Sequence, residues 1–193
     1  MRCCKKPERW LQGLLATVLW LCLALAHAGS IEPKSAMLTP GEDGYTLSAE
    51  FAVDLGSRLE EAVTRGVPLY FNLEFILERN RKYWVNEHIV SRNLSYRLAY
   101  SSLTRQYRLT TGSLHQNFGS LAEALRVVGR IAALPVVDTD ALKNGESYEA
   151  ALRLSLDRNQ LPKPFQVDAI TDKGLQVEAK VLRWQFTAPV VTQ

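Results

Sequence analysis

Hydrophobic and polar residues alternate with a period of two along much of the chain, which predicts strands with one face in a core and the other in solvent. Tyr45, Leu47, Ala49, Phe51 and Val53 interleave with Thr46, Ser48, Glu50 and Asp54, behind a turn at Gly41-Glu42-Asp43-Gly44. Leu69, Phe71, Leu73, Phe75 and Leu77 alternate with Asn72, Glu74 and Glu78 as far as the polar stretch Arg79-Asn80-Arg81-Lys82, and Tyr83 to Ile89 is expected to return as the hairpin partner. Leu94 to Tyr100 forms a further strand, Tyr107 and Leu109 mark another, and Tyr148 to Leu156 follows the Asn144-Gly145 turn. Leu161-Pro162-Lys163-Pro164-Phe165 predicts a rigid extended connection, because each proline fixes its own φ and steers its predecessor away from the helical region. A last strand is expected from Leu175 to Phe186, behind Asp172-Lys173-Gly174.

Two segments follow helical spacing instead. Ser57 to Arg65 has Ser57 and Glu60 at capping-box spacing and Gly66 where a C-terminal cap belongs. Ser120 to Ala133 has a second box, Ser120 and Glu123, and places Leu121, Ala124, Leu125, Val128 and Ile131 on one stripe to pack on the end or open side of a sheet. Seven or eight strands, two short helices and no regular βαβ alternation make the fold mainly β. It is expected to be an antiparallel β-sandwich, with an immunoglobulin-like strand order as one form, and a half-open β-barrel is the alternative.

The first 28 residues change the reading of the rest. Arg2, Lys5, Lys6 and Arg9 precede an apolar run from Leu14 to Ala26, and Ala26-His27-Ala28 supplies small residues at the first and third positions before Gly29. This is the pattern of a cleaved signal peptide over 1–28, leaving residues 29–193 as a single β-rich domain. The apolar run is short for a bilayer span, so inner-membrane anchoring is the alternative to a periplasmic domain. Removing the leader takes four of the 23 basic and one of the 20 acidic residues, leaving 19 of each, so the basic balance of the whole chain gives no argument for a nucleic-acid partner. Cys3, Cys4 and Cys22 also leave with it, which excludes disulfides, a disulfide-linked partner and thiolate metal ligands from the mature chain. A chain of this size without disulfides suits a bacterial periplasm.

The search for chemistry ends without a catalytic residue, a metal site or a cofactor. His88 and His115 are far apart and lack ligand spacing, and neither a Gly-x-Ser-x-Gly elbow nor a phosphate-binding loop is present. The one arrangement left to a hydrolase is Ser113 with His115, read as part of a loop before the second helix. Cations and aromatics interleave at Arg79-Asn80-Arg81-Lys82-Tyr83-Trp84, the expected tip of a hairpin, and again at Arg105-Gln106-Tyr107-Arg108. Arg, Tyr and Trp are favoured at interface hot spots, so Arg79, Arg81, Lys82, Tyr83, Trp84, Arg105 and Tyr107 are the candidate partner-binding residues.

Asn93-Leu94-Ser95-Tyr96-Arg97-Leu98-Ala99-Tyr100, Leu103-Thr104-Arg105-Gln106-Tyr107, Leu161-Pro162-Lys163-Pro164-Phe165-Gln166 and Trp184-Gln185-Phe186 together give the chain a further character. In these it resembles a family of secreted proteins of Gram-negative bacteria described as domain of unknown function 4390. The resemblance implies a periplasmic location and, because family members are often encoded beside a membrane sensor histidine kinase, an accessory role in envelope signalling. It brings no active-site residues. The expectation is therefore a non-enzymatic envelope domain that binds an envelope or inner-membrane protein through an exposed strand edge or the Arg79 to Trp84 region. A carrier of a lipid or other small apolar ligand between two sheets is the alternative.

Overall fold

A strand with apolar side chains at every second position buries them best when it has a neighbour on each side and a layer above. Leu69, Phe71, Leu73, Phe75 and Leu77 hold that place: in a computed structural model of the chain all five are at most 1% exposed. The structure describes residues 29–41, 43–79, 86–163, 165–166 and 175–189. Over these, β1 (Gly29–Pro40), β2 (Gly44–Asp54), α1 (Gly56–Thr64), β3 (Leu69–Arg79), β4 (Glu87–Ser101), β5 (Gln106–Thr111) and β6 (Leu114–Phe118) are followed by α2 (Leu121–Val128), β7 (Arg130–Asp138), β8 (Ser147–Leu156), β9 (Val177–Ala179) and β10 (Leu182–Thr187).

The strands form two sheets, one in the order β7-β2-β1-β9 and one in the order β10-β8-β3-β4-β5-β6, the larger with β3 and β4 at its centre. The fold is the mainly β architecture of two sheets and two short helices that the alternation predicts, and one sheet curves as a half-barrel. The strand order of an immunoglobulin domain is not followed, because β3, β4, β5 and β6 run as one unbroken meander. Tyr45 meets Phe186 edge-on at 5.2 Å between the two layers, and Arg92 Nε donates to Val136 O at 3.1 Å, linking β4 to β7. Beyond β4 the helices take over the covering of the larger sheet, with Leu59 and Val63 of α1 and Ala124, Leu125 and Val128 of α2 buried in the common core.

The structure departs from the alternation in identifiable places. β1 is a strand that the pattern does not announce: only Ile31 and Leu38 of its apolar residues are buried, and its register against β2 shifts between Pro33 and Ser35. β4 is a single strand rather than two; its exposed Ser91-Arg92-Asn93 continues the ladder with β3, and a register shift at Leu77/Glu78 absorbs Ile89. Tyr83 to Val85, of the expected return strand, lie outside the described residues. The second helix stops at Val128, and Ile131 belongs to β7. Gly129 is the reason: Phe51 N–H donates to its carbonyl at 2.8 Å, and a Cβ there would lie 2.5 Å from Phe51 O, so the chain is pulled onto β2 at that point.

Ser120 caps α2 as expected, accepting from Glu123 N–H at 3.3 Å. Ser57 does not cap α1, whose first turn is held by Asp54 Oδ1 accepting from Gly56 N–H at 2.8 Å; the bonds from Gly66 N–H to Val63 O and from Val67 N–H to Ala62 O close its far end as a Schellman motif. Leu161 is extended before Pro162, yet Lys163, Phe165 and Gln166 are helical, stabilised by Phe165 N–H donating to Pro162 O and by Gln166 Nε2 donating to Leu161 O. A proline is well placed at the start of such a turn, since its missing N–H would have no partner there. Finally, the expected strand from Leu175 to Phe186 is two strands in different sheets. β9 pairs in parallel with β1, the chain crosses at Lys180 and Val181, and β10 pairs antiparallel with β8. Asp172-Lys173-Gly174 lies outside the described residues.

Two expectations test this architecture. Leu73→Ala should lower stability by about 2–5 kcal/mol, read from urea denaturation, because it empties a site with neighbours on every side. Lys180 Nζ donates to Glu32 Oε1 at 2.7 Å and holds the Glu32 carboxyl below its ordinary value of 4.5. The stabilisation from this pair is present above that value and lost as pH falls through the lowered one. Glu32→Gln should therefore lower the melting temperature at neutral pH and leave it unchanged in acid.

Candidate interaction surface

Arg79 ends β3 directly opposite Glu87 of β4, and the register also sets it against Tyr148 of β8. Its guanidinium bonds Glu87 Oε2 through Nε and Nη2, and Nη1 donates to Glu146 Oε2 at 2.7 Å. These two carboxylates raise its pKa above the usual arginine value. The side chain braces β3 to β4 and to Glu146, the residue before β8, and its charge is already answered within the fold. Arg81, Lys82, Tyr83 and Trp84 lie outside the described residues, as do Ala26 and Ala28 of the expected cleavage site. Gly29, the residue after that site, is buried at the start of β1, where a Cβ would lie 2.5 Å from the carbonyl of Leu55.

Arg105 and Tyr107 stand at the other end of β4. That strand has 15 residues, so its two ends are roughly 45 Å apart at the usual strand rise, and the fold does not bring Arg79 together with Arg105 and Tyr107. Arg105 is exposed in the β4–β5 turn with φ of 53°, beside Leu103, which is 94% exposed. Tyr107 is half-buried. Its ring lies 4.9 Å from that of Tyr100, and its hydroxyl shares a hydrogen bond of 3.2 Å with Thr64 Oγ1 on α1. It also lines an open cleft of about 530 Å³ with Glu60, Thr64 and Leu121.

Tyr107 pairs with Phe118 of β6, a strand in a region where the sequence predicts a loop. Gly112 and Ser113 form a two-residue hairpin connection, with Gly112 at φ of 57° in the position where a type II′ turn wants glycine. His115 is therefore in β6, where its Nδ1 shares a hydrogen bond of 3.1 Å with Thr110 Oγ1 across the hairpin. In a hairpin of this kind the closing pair, here Thr111 and Leu114, exchanges both backbone bonds. Gln116 and Phe118 then also direct their N–H and C=O toward β5, and those of His115 and Asn117 point away from the sheet.

β6 is one of four edge strands among the described residues, and the other three are guarded in ways that discourage strand addition. β7 has two register shifts, Pro135, Ala133 at φ of 47° and the Arg92 contact to Val136 O. β9 has three residues, and β10 carries Arg183, paired with Glu149. β6 has no charge, proline or bulge, and Leu114, His115, Gln116 and Asn117 are all exposed.

The sequence carried a signal for this region that overall charge conceals. Residues 88–120 contain Arg92, Arg97, Arg105 and Arg108 and no acid, although the expected mature chain is formally neutral. Folded, the segment is nearly all of β4 with β5 and β6. Arg97 and Arg108 share the outer face, Arg97 over the ring of Tyr70 at 6.0 Å and Arg108 reaching Asn117 Oδ1 with Nε at 3.3 Å.

The profile of the family described as domain of unknown function DUF4390 matches residues 28–185. The chain belongs to the DUF4390 family. The match covers the ten strands of the described residues except the last two residues of β10, so the DUF4390 unit and the described two-sheet fold coincide. No curated protein and no solved structure matches the chain. Among the described residues no helix is long and apolar enough to cross a membrane, and no three His, Asp or Glu side chains are grouped to hold a metal ion.

If Arg79 is a brace, Arg79→Met should lower the melting temperature, and adding salt should narrow the gap to the unaltered protein. Equal melting curves at low salt would remove the structural role.

Proposed function

We propose that this chain is an exported, non-enzymatic domain of the bacterial cell envelope that binds a protein partner as an accessory or adaptor, taking an extended segment of that partner along β6. The observation that carries the proposal is the unguarded edge: backbone donors and acceptors at His115 and Asn117 face outward on a strand without the usual deterrents. Main-chain hydrogen bonds supply affinity in strand addition, and the exposed side chains of the β4–β5 and β5–β6 hairpins supply selectivity. The leader-like residues 1–28 and a family match beginning at residue 28 support export, with the working domain on the periplasmic face. An inner-membrane sensor is the partner class that the family resemblance implies. The carrier reading is less favoured, because Leu47, Phe71, Phe75 and Leu152 are buried in the core, and the clefts lined by Tyr107 and by Leu125 are open grooves.

The test is cross-linking in living cells with the full-length tagged protein, comparing the native sequence with Asn117→Pro and with Arg81→Glu/Trp84→Ala. Proline at Asn117 deletes an N–H that the β5–β6 ladder does not use, so the fold should survive and the edge should close. Loss of a specific envelope partner in the proline variant alone is the expected result. Loss only in the double variant would move the contact to the β3–β4 hairpin, and capture unaffected by either would remove both surfaces.

A further inference from the structure

The side chains around β6 restrict what can be added to it. Resting on the strand-addition reading, we infer that the β6 edge takes an extended segment in which apolar residues alternate with aspartates or glutamates. The two faces of the edge differ in chemistry. Gln116 pairs with buried Leu109, so Leu114, Gln116 and Phe118 share the inner face. Phe118 packs against the core while Leu114 is 59% exposed, an apolar surface at the rim of the sheet that an added strand would cover. Every second residue of the incoming strand faces this row.

The alternate residues of that strand face the outer side, where His115, Asn117, Arg108 and Arg97 lie and where β5, β6 and their connecting turns offer no carboxylate. Neighbouring strands are about 4.8 Å apart, so the added strand lies two spacings from β5. Arg108 already reaches across the first of these: its Nε donates to Asn117 Oδ1 on β6 at 3.3 Å, and only Nε is used in that bond. A carboxylate on the outer face of the added strand can meet the remaining nitrogens, the fork geometry that favours arginine–carboxylate pairs. Arg105, at the tip of the neighbouring hairpin, adds to the same positive field. A second copy of this chain is geometrically able to pair β6 with β6 about Gln116. It would, however, bring two arginine-bearing faces side by side, and an acidic strand meets no such repulsion.

Short synthetic peptides that alternate leucine with glutamate, with lysine or with serine test the inference by calorimetric titration into the full chain. The glutamate peptide should bind tightest, and Arg108→Glu should weaken it by about tenfold or more while improving the lysine peptide. His115→Pro and Asn117→Pro should abolish binding of all three, with Asn117→Ala, which keeps the N–H, as the control for the lost Arg108 contact. Circular dichroism and melting curves establish that each variant is folded. Equal affinity for the three peptides, or a glutamate preference that survives Arg108→Glu, overturns the acidic specificity and leaves the edge reading standing if the proline variants still fail to bind. Binding that persists in both proline variants removes the edge itself. A dimer in native mass spectrometry that the proline variants dissolve and the glutamate peptide does not displace makes a second copy the occupant and overturns the inference.

Discussion

The apolar row of β3 is the constraint on which the rest of the structure depends. Its five inward side chains lie between β8 on one flank and β4 on the other, and all five are at most 1% exposed. Because the period is two, a slip of one residue would turn Leu69 to Leu77 outward and bring Asn72 and Glu74 into the core. The ladder to β4, eleven residue pairs long, and the Arg79 brace at its end oppose such a slip. That fixed register determines where the β4–β5 and β5–β6 hairpins project.

Beyond β4 the architecture changes character. The smaller sheet no longer provides the cover, and α1 and α2 supply it with a few aliphatic side chains each. The sheet thus ends in strands with progressively less buried area: β3 alternates buried and half-buried residues throughout, β5 buries Leu109 alone, and β6 buries none. Charge follows the same gradient. Arginines without acids collect on the strands that packing needs least, so the electrostatic and the backbone features of the edge occur together.

Much of the fold was legible where alternation is strict. β2, β3 and β8 match their predicted spans closely because every second residue has a core to enter. Legibility fails where tertiary contacts override local pattern. Gly129 ends α2 through its approach to Phe51, and β1 exists because β2 and β9 flank it, not because its own residues alternate. β6 was missed since Leu114 to Phe118 shows almost no burial, and without burial there is no period to read. For the candidate surface, residue type alone pointed to Arg79, which neighbouring glutamates occupy. The acid-free run over 88–120 was readable but was hidden by counting charge over the whole domain.

The parallel pairing of β9 with β1 has a bearing on how the molecule is made. The Glu32–Lys180 contact joins positions 148 residues apart, and the smaller sheet lacks its outer strand until Val177 to Ala179 arrive. Closure of so long a loop comes late in folding, because its entropic cost precedes the contacts that offset it. A growing chain therefore passes most of its synthesis with β1 bare on one side. β1 is completed almost last, and a truncation that removes β9 and β10 bares β1 in the smaller sheet and β8 in the larger, in addition to the β6 edge that is already open.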